Sequence, residues 1–374
     1  MGEARRGGVS QQPAWVVVTH AELPNGPAHR LVGALMRAGH EVGLCAVPLP
    51  GASRFRSEQM LPGAPAAASL VDDPRSVPWR QELGSTFDIA RFAWRVAREG
   101  RREVVVVGCD PVSFLEGVAA FRVTPLRITA AAAWFVDWSA QRLRRRSTGA
   151  AYVAVTRVAL RLADVVAAIT PAAAEALHQV GRPRHEVLVL ANQPLAVGSG
   201  PPWSARRLSV AYLGGLSAHQ GTEVLLGAAR ILGQDGVAVD IAGGGPSAAQ
   251  VAAAARSLPN VRFHGVVDDV SRLAGLLHSS RVGWALYDPH FPMHVYNDPL
   301  KIKDYLAAGL RVVSTLPTSV DDGVVAIAGY SVAEVVEATR TALSRPPGSD
   351  PSEHPLLAEA RQSLQAFVAA VQAT

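Results

Sequence analysis

Short apolar runs rich in valine recur along the chain, most of them followed by a stretch long enough for a helix. In the first half they are Trp15–Thr19 (WVVVT), Glu41–Ala46, Glu103–Val107 (EVVVV), Leu126–Thr129 and Asp164–Ile169 (DVVAAI). A strand with one face in water alternates apolar and polar residues. These runs do not, so both of their faces must be covered. Such runs alternating with helices specify a parallel sheet with helices on both sides. Asn25 or Gly26 can cap a helix that runs to about Ala38 and stops at Gly39, and Asp110-Pro111 opens another. Residues 48–84 read as polar and proline-punctuated, and Pro194–Ala205 (PLAVGSGPPWSA) has the composition of a linker. The pattern then restarts with Ser209–Leu213, Ala238–Ala242, Val261–His264, Val282–Leu286 and Arg311–Ser314, and Leu356–Ala373 reads as an amphipathic terminal helix. The expected fold is α/β: two Rossmann-like doubly wound domains facing across a cleft, with ligands beyond the C-terminal ends of the strands. The expected divisions are a disordered tail over 1–13, a first domain over 14–193, a linker over 194–206, a second domain over 207–354 and a terminal helix over 355–374 that packs back toward the first domain.

A chain of 374 residues that is 49% hydrophobic and 18% charged has a large core and is not a disordered protein. Its net charge of +5 is modest, and no basic stripe with interleaved aromatics marks a nucleic-acid partner. Lysine is nearly absent, so a lysine that does occur carries information. Cys45 and Cys109 each end an apolar run and read as reduced core residues, without metal-ligand spacing. No secretory signal precedes the first strand and no apolar run is long enough to span a bilayer, so the expected location is cytoplasmic.

The segment Tyr296–Thr315 (YNDPLKIKDYLAAGLRVVST) is the richest in chemistry. Asp298 is a good N-cap and Pro299 a good first residue for a helix that reaches about Ala308, where Gly309 stops it. The start of such a helix offers unpaired N–H groups and partial positive charge, which favour an anion such as a diphosphate. Lys301 adds a full charge in the first turn, where the helix dipole disfavours one, and so points to an anionic partner. Asp304, three residues on, is placed to take ribose hydroxyls. The plainer alternative is a cap at Asp298 and a surface ion pair between Lys301 and Asp304. Gly214-Gly215-Leu216-Ser217 and Gly243-Gly244-Gly245-Pro246 each follow a strand, where a missing Cβ lets the backbone approach a phosphate. Each is otherwise an ordinary turn, and neither matches the dinucleotide pattern G-x-G-x-x-G.

The run Pro299–Leu310 (PLKIKDYLAAGL), followed by a valine-rich strand, resembles the donor-binding segment of GT-B glycosyltransferases of the family 4 type (group 1), in their proline-leucine-lysine subgroup. The resemblance extends from about Ser209 to Thr315. It implies a GT-B fold and a donor site in which Tyr296, Asp298, Pro299, Leu300 and Lys301 hold the sugar and diphosphate while Asp304 holds the ribose. Gly214, Gly215 and Gly243 match the family's phosphate-approaching turns. Phe263-His264-Gly265-Val266-Val267 resembles the loop that holds the base through its backbone, which implicates Gly265 and Val266. Asp304 stands where the family has glutamate, and Tyr296 where the first glutamate of its E-x7-E motif falls. Gln220 replaces a lysine usual before the last glycine of the 214–221 turn, which leaves more of the diphosphate charge to Lys301.

In the first domain, His20 follows the first strand and is a candidate for acceptor contact or proton transfer, since imidazole titrates near neutrality. Asn25 and Gly26 open the next helix beside it. Trp134-Phe135-Val136-Asp137-Trp138 reads as an aromatic loop around a carboxylate, suited to packing on and hydrogen-bonding a sugar or polyol. Asp137 is the candidate base if the enzyme inverts and an orienting group if it retains. The resemblance implies hexosyl transfer (EC 2.4 type), with Lys301, Asp137 and His20 in catalytic roles. The donor it implies is a UDP- or GDP-linked sugar, a co-substrate, with no metal or other cofactor expected. The acceptor is a small molecule, natural product or saccharide, or a lipid-linked one, and the basic run Gln141–Arg146 (QRLRRR) is compatible with peripheral contact at the inner face of a membrane. Two other readings share the architecture. One is a nucleotide-sugar epimerase or hydrolase, for which His290 and His294 lie near the donor loop. The other is a catalytically degenerate subunit that binds a sugar nucleotide, as Tyr296 and Gln220 suggest.

Overall fold

The computed structural model describes residues 13–20, 26–47, 78–99, 101–136, 146–198, 200–291, 294, 296–316, 324–344, 346–347 and 349–374. The chain divides into two units, residues 1–191 with 363–374, and residues 192–362.

The first unit contains β1 (Ala14–His20), α1 (Pro27–Arg37), β2 (Val42–Val47), α2 (Pro78–Arg98), β3 (Glu103–Gly108), α3 (Pro111–Arg122), β4 (Arg127–Phe135), α4 (Arg146–Leu162), β5 (Val165–Ala168), α5 (Pro171–Val180) and β6 (Val187–Val189). Its strands form one parallel sheet in the order β2-β1-β3-β4-β5-β6. The valines of β1 and β3 are buried on both faces, as their unbroken apolar runs require. Asp110 caps α3 by accepting from the N–H groups of Val112 and Ser113, with Pro111 at the first helical position. Cys45 and Cys109 are buried, and burial pushes the Cys45 thiol up to about 12.

The second unit contains β7 (Ser209–Leu213), α6 (Thr222–Gln234), β8 (Ala238–Ala242), α7 (Ala248–Ser257), β9 (Val261–Phe263), α8 (Val270–Ser279), β10 (Val282–Ala285), α9 (Leu300–Ala307), β11 (Arg311–Ser314), β12 (Val325–Ile327) and α10 (Val332–Ser344). Its parallel sheet runs β12-β11-β10-β7-β8-β9. The order reverses direction between β7 and β10, and beyond the C-terminal ends of those two strands an open α/β sheet has its crevice. The final helix, α11 (Pro355–Gln372), starts in the second unit and ends in the first, where Leu364, Phe367 and Val371 join the core. No described helix is long and apolar enough to cross a membrane.

The structure departs from the sequence reading at several points. Strands β6 and β12, three residues each, fall outside the runs read from the sequence. Helix α2 begins at Pro78, inside a stretch expected to be irregular, because a proline at a helix start is a beginning as well as a break. The expected linker 194–206 packs into the second unit, with Leu195 and Val197 in its core beside Ile302 and Leu306. Proline and glycine there mark irregular backbone, not exposure. Strand β4 continues to Phe135, which places Trp134 fully inside the core with its indole N–H donating to the Leu190 carbonyl at 3.0 Å. Trp134 therefore cannot face an acceptor.

Arg206 ties this former linker down. It is buried, and its guanidinium donates to the carbonyls of Pro201 (2.9 Å), Ser280 (3.3 Å) and Ala308 (2.8 Å). Two of those carbonyls close the C-terminal ends of α8 and α9, where a cation is favoured. Replacing Arg206 with alanine should cost about 3 kcal/mol in chemical unfolding, since charged hydrogen bonds are lost and carbonyls are left buried. A loss under about 1 kcal/mol would refute that role.

Candidate functional site

Three glycine turns meet at the C-terminal ends of β7, β8 and β9. The Gly214 N–H donates to the Ala242 carbonyl (3.0 Å), that of Leu216 to Gly244 (2.8 Å), and that of Gly243 to Gly265 (2.7 Å). The approach is close enough to require glycine. A Cβ on Gly243, whose φ is +158°, would lie 1.8 Å from the Gly214 carbonyl oxygen. Gly214 itself has φ +124°, in the region where side chains are strained. The structure thus brings Gly214, Gly215, Gly243 and Gly265 together, with Val266 60% exposed at their rim.

Lys301 projects into this cluster from α9. A Cβ on Gly214 would stand 3.4 Å from its Cε and 3.6 Å from its Nζ. The ammonium donates to the Tyr212 hydroxyl (3.2 Å) and to Oε1 of Gln220 (3.0 Å). It also lies over two ring faces, 4.3 Å from the centroid of Tyr212 and 4.4 Å from that of Tyr287. Tyr212 belongs to β7 and Tyr287 follows β10, so the charge sits where the strand order reverses. Lys301 and Lys303 are the only lysines in the chain, and both are buried. Burial pushes the Lys301 ammonium down to about 7. Among the described residues no carboxylate bonds to it, and the rings and the Gln220 amide are neutral.

The start of α9 differs from the expected one. Pro299 occupies the N-cap position, where its carbonyl accepts from the Ile302 N–H at 3.2 Å, and no side chain among the described residues caps the helix. Asp298, expected to be that cap, instead accepts from the Asn192 N–H at 2.6 Å and pairs with Lys303. Asp304, expected to face a ribose, is 2% exposed and accepts from the Leu195 N–H at 2.9 Å. The Asp304 carboxylate therefore points into the unit, and Lys301 and Asp304 do not form the alternative surface pair. Leu300 and Tyr296 are partly exposed, at and before the helix start.

The loop after β10 folds over the turn after β7. His219 stacks on Phe291 (centroids 4.7 Å apart, 22° between planes), and its carbonyl accepts from the Asp288 N–H at 3.0 Å and contacts His294 Nε2 at 3.2 Å. The His294 ring packs edge-on against Tyr287 and Phe291, and burial lowers its pKa. His294 thus serves the loop's scaffold, while His290 is exposed. Tyr212 and Tyr287 escaped the sequence reading because a tyrosine in or beside a core strand looks like packing. Of the first unit's candidates, Gly26 is the buried N-cap of α1 and His20 ends β1. Asn25, Asp137, Trp138 and residues 141–145 lie outside the described residues, as do residues 1–12.

These turns and Lys301 fall within one recognised domain. Residues 207–345 match the family model of the glycosyl transferases group 1. The match lies within the second unit and spans less than half of the chain. No curated protein sequence matches the chain. Solved structures match it along nearly its whole length. A sucrose-phosphate synthase from Thermosynechococcus elongatus has a TM-score of 0.59 at 16% identity, with 97% of each chain covered. An α,α-trehalose 6-phosphate synthase from Burkholderia multivorans has a TM-score of 0.61 at 12% identity, covering 97% of this chain and 99% of that one. A UDP-N-acetylglucosamine 2-epimerase has a TM-score of 0.53 at 13% identity, covering 96% and 95%. At these identities the likeness establishes the fold, which is GT-B.

The position of Lys301 sets a pH dependence with two opposite signs. Its ordinary value is 10.5 and its folded value about 7, so between the two the unfolded chain holds a proton that the empty folded chain has lost. Stability without ligand should therefore rise with pH across that window. An anion bound at the site favours the charged amine, so its affinity should fall as pH rises above about 7. Thermal unfolding and calorimetric titration with a nucleoside diphosphate across this range check both slopes. Lys301→Met should flatten both, and unchanged slopes in that variant would refute the assignment.

Proposed function

We propose that the chain is a hexosyltransferase that moves a sugar from a UDP- or GDP-linked donor, held by the second unit, to a small-molecule, saccharide or lipid-linked acceptor. The observation that supports this best is the buried ammonium of Lys301 beside Gly214 at the C-terminal ends of β7 and β10, within the stretch that matches the group 1 family model. The donor's diphosphate would lie against Gly214 and Gly215 and the start of α9 at Pro299 and Leu300, with its base along Gly265 and Val266. In the reaction the bond from the sugar's anomeric carbon to the diphosphate oxygen breaks, and an acceptor oxygen bonds to that carbon. The diphosphate departs with the bonding pair. Lys301, itself buried, stabilises that growing charge without a metal. The acceptor's proton needs a base. Asp137 and His20 are the candidates in the first unit, with Asn25, Gly26 and Trp138 as further acceptor contacts. A basic 141–146 run would suit peripheral contact with anionic lipid.

A thermal-shift screen with UDP-, GDP- and dTDP-sugars should select one nucleotide class. Lys301→Ala should lower transfer by roughly 10²–10³-fold, the range for losing one preorganised charge-stabilising donor, while the fold persists. Transfer at the wild-type rate in that variant would refute the site. Release of free sugar without any acceptor would replace transfer by hydrolysis or epimerisation.

A further inference from the structure

We infer that Asp304 and Asp298 are positioning residues: they clamp α9 against residues 192–195 and thereby aim Lys301 at the ligand. This rests on the donor-site reading for Lys301 but assigns these two carboxylates a role that reading did not give them.

A helix of eight residues has little intrinsic stability, so its rotation about its own axis must be set by what it packs against. Ile302, Tyr305 and Leu306 bury its apolar side, but apolar contacts fix rotation loosely. Polar contacts fix it tightly. The Asp304 carboxylate, 2% exposed, takes the Leu195 N–H at 2.9 Å. Six residues earlier, just before the helix, the Asp298 carboxylate takes the Asn192 N–H at 2.6 Å and the ammonium of Lys303, and the Asn192 side-chain amide donates to the Asp298 carbonyl at 2.9 Å. The same strip of backbone therefore holds α9 just before its start and again at its middle. Asn192 is also the first residue of the second unit, so the clamp uses the backbone with which that unit begins. Successive residues on a helix are 100° apart (3.6 per turn), so a small rotation would carry Lys301 away from Gly214 and the two tyrosine rings. Each carboxylate is matched to main-chain N–H groups that would otherwise be buried without a partner, which makes the register costly to change.

The test compares Asp304→Ala with Asp304→Asn, whose side-chain oxygen can still accept from Leu195. Binding of UDP, GDP and inorganic pyrophosphate is measured by calorimetry, and exchange of the Leu195 amide by hydrogen exchange. Pyrophosphate has no ribose, so it separates positioning from direct contact. The clamp requires Asp304→Ala to weaken pyrophosphate and the better nucleotide by the same factor, about tenfold for one charged hydrogen bond. It also requires faster exchange at Leu195, with Asp304→Asn close to wild type on all three measures. The inference is overturned if both variants weaken the nucleotide while leaving pyrophosphate binding and Leu195 exchange unchanged, which would make Asp304 a ribose ligand. It is equally overturned if Asp304→Ala changes nothing. Should Asp304→Ala fail to fold, Asp304→Asn alone decides, because a ribose ligand and a clamp predict opposite results for it with the nucleotide. A wild-type chain that binds none of the three ligands overturns the donor reading instead, and Leu195 exchange in the two variants then decides whether the clamp exists.

Discussion

A buried ammonium whose partners among the described residues are all neutral is the constraint around which the second unit is arranged. Lys301 has the faces of Tyr212 and Tyr287, the Tyr212 hydroxyl and the Gln220 amide, and these offset only part of the cost of removing a full charge from water. Two ring faces contribute about 1–2 kcal/mol each when desolvated. That partial compensation makes the residue useful. An amine neutralised by a carboxylate would have little left for a ligand, whereas this one gains most when an anion arrives.

The rest of the site follows from placing that amine where the strand order turns. Strands β7 and β10 part there, and glycines line the gap because the turns after β7, β8 and β9 approach within contact distance of one another. The Tyr305 hydroxyl reinforces the same point, accepting from the Leu213 N–H and donating to the Trp284 carbonyl, so that α9 is pinned to both strands beneath Lys301. The carboxylates on the other side of α9 complete the support. Nearly every polar group of this short helix has a structural partner, and Lys301 is the one aimed at open glycine.

Much of this was legible in the sequence, and the reasons differ by element. The unbroken valine runs of β1 and β3 have no stable arrangement except a sheet covered on both faces, so the architecture could be read from them. Lys301 stood out because the chain otherwise uses arginine. The misreadings share one cause. The sequence shows which residues are near a turn, not which way they face. Asp304 meets an N–H on Leu195, more than a hundred residues away along the chain, and nothing local announces that partner. Trp134 looked like a sugar platform because an aspartate follows it closely, but a longer β4 turns the indole inward. Tyr212 and Tyr287 act through their ring faces, a role that spacing does not encode.

The near-neutral amine of Lys301 has one more consequence. An empty site would be a mixture of charged and uncharged molecules near pH 7, while a site filled by an anion would be almost entirely charged. Each ligand captured would then draw a fraction of a proton from the surrounding solution, and each departing product would give it back. The measured heat of binding would accordingly include the ionisation heat of whatever buffer supplies the proton, and a change in surrounding acidity would act on occupancy directly, without any second site to transmit it.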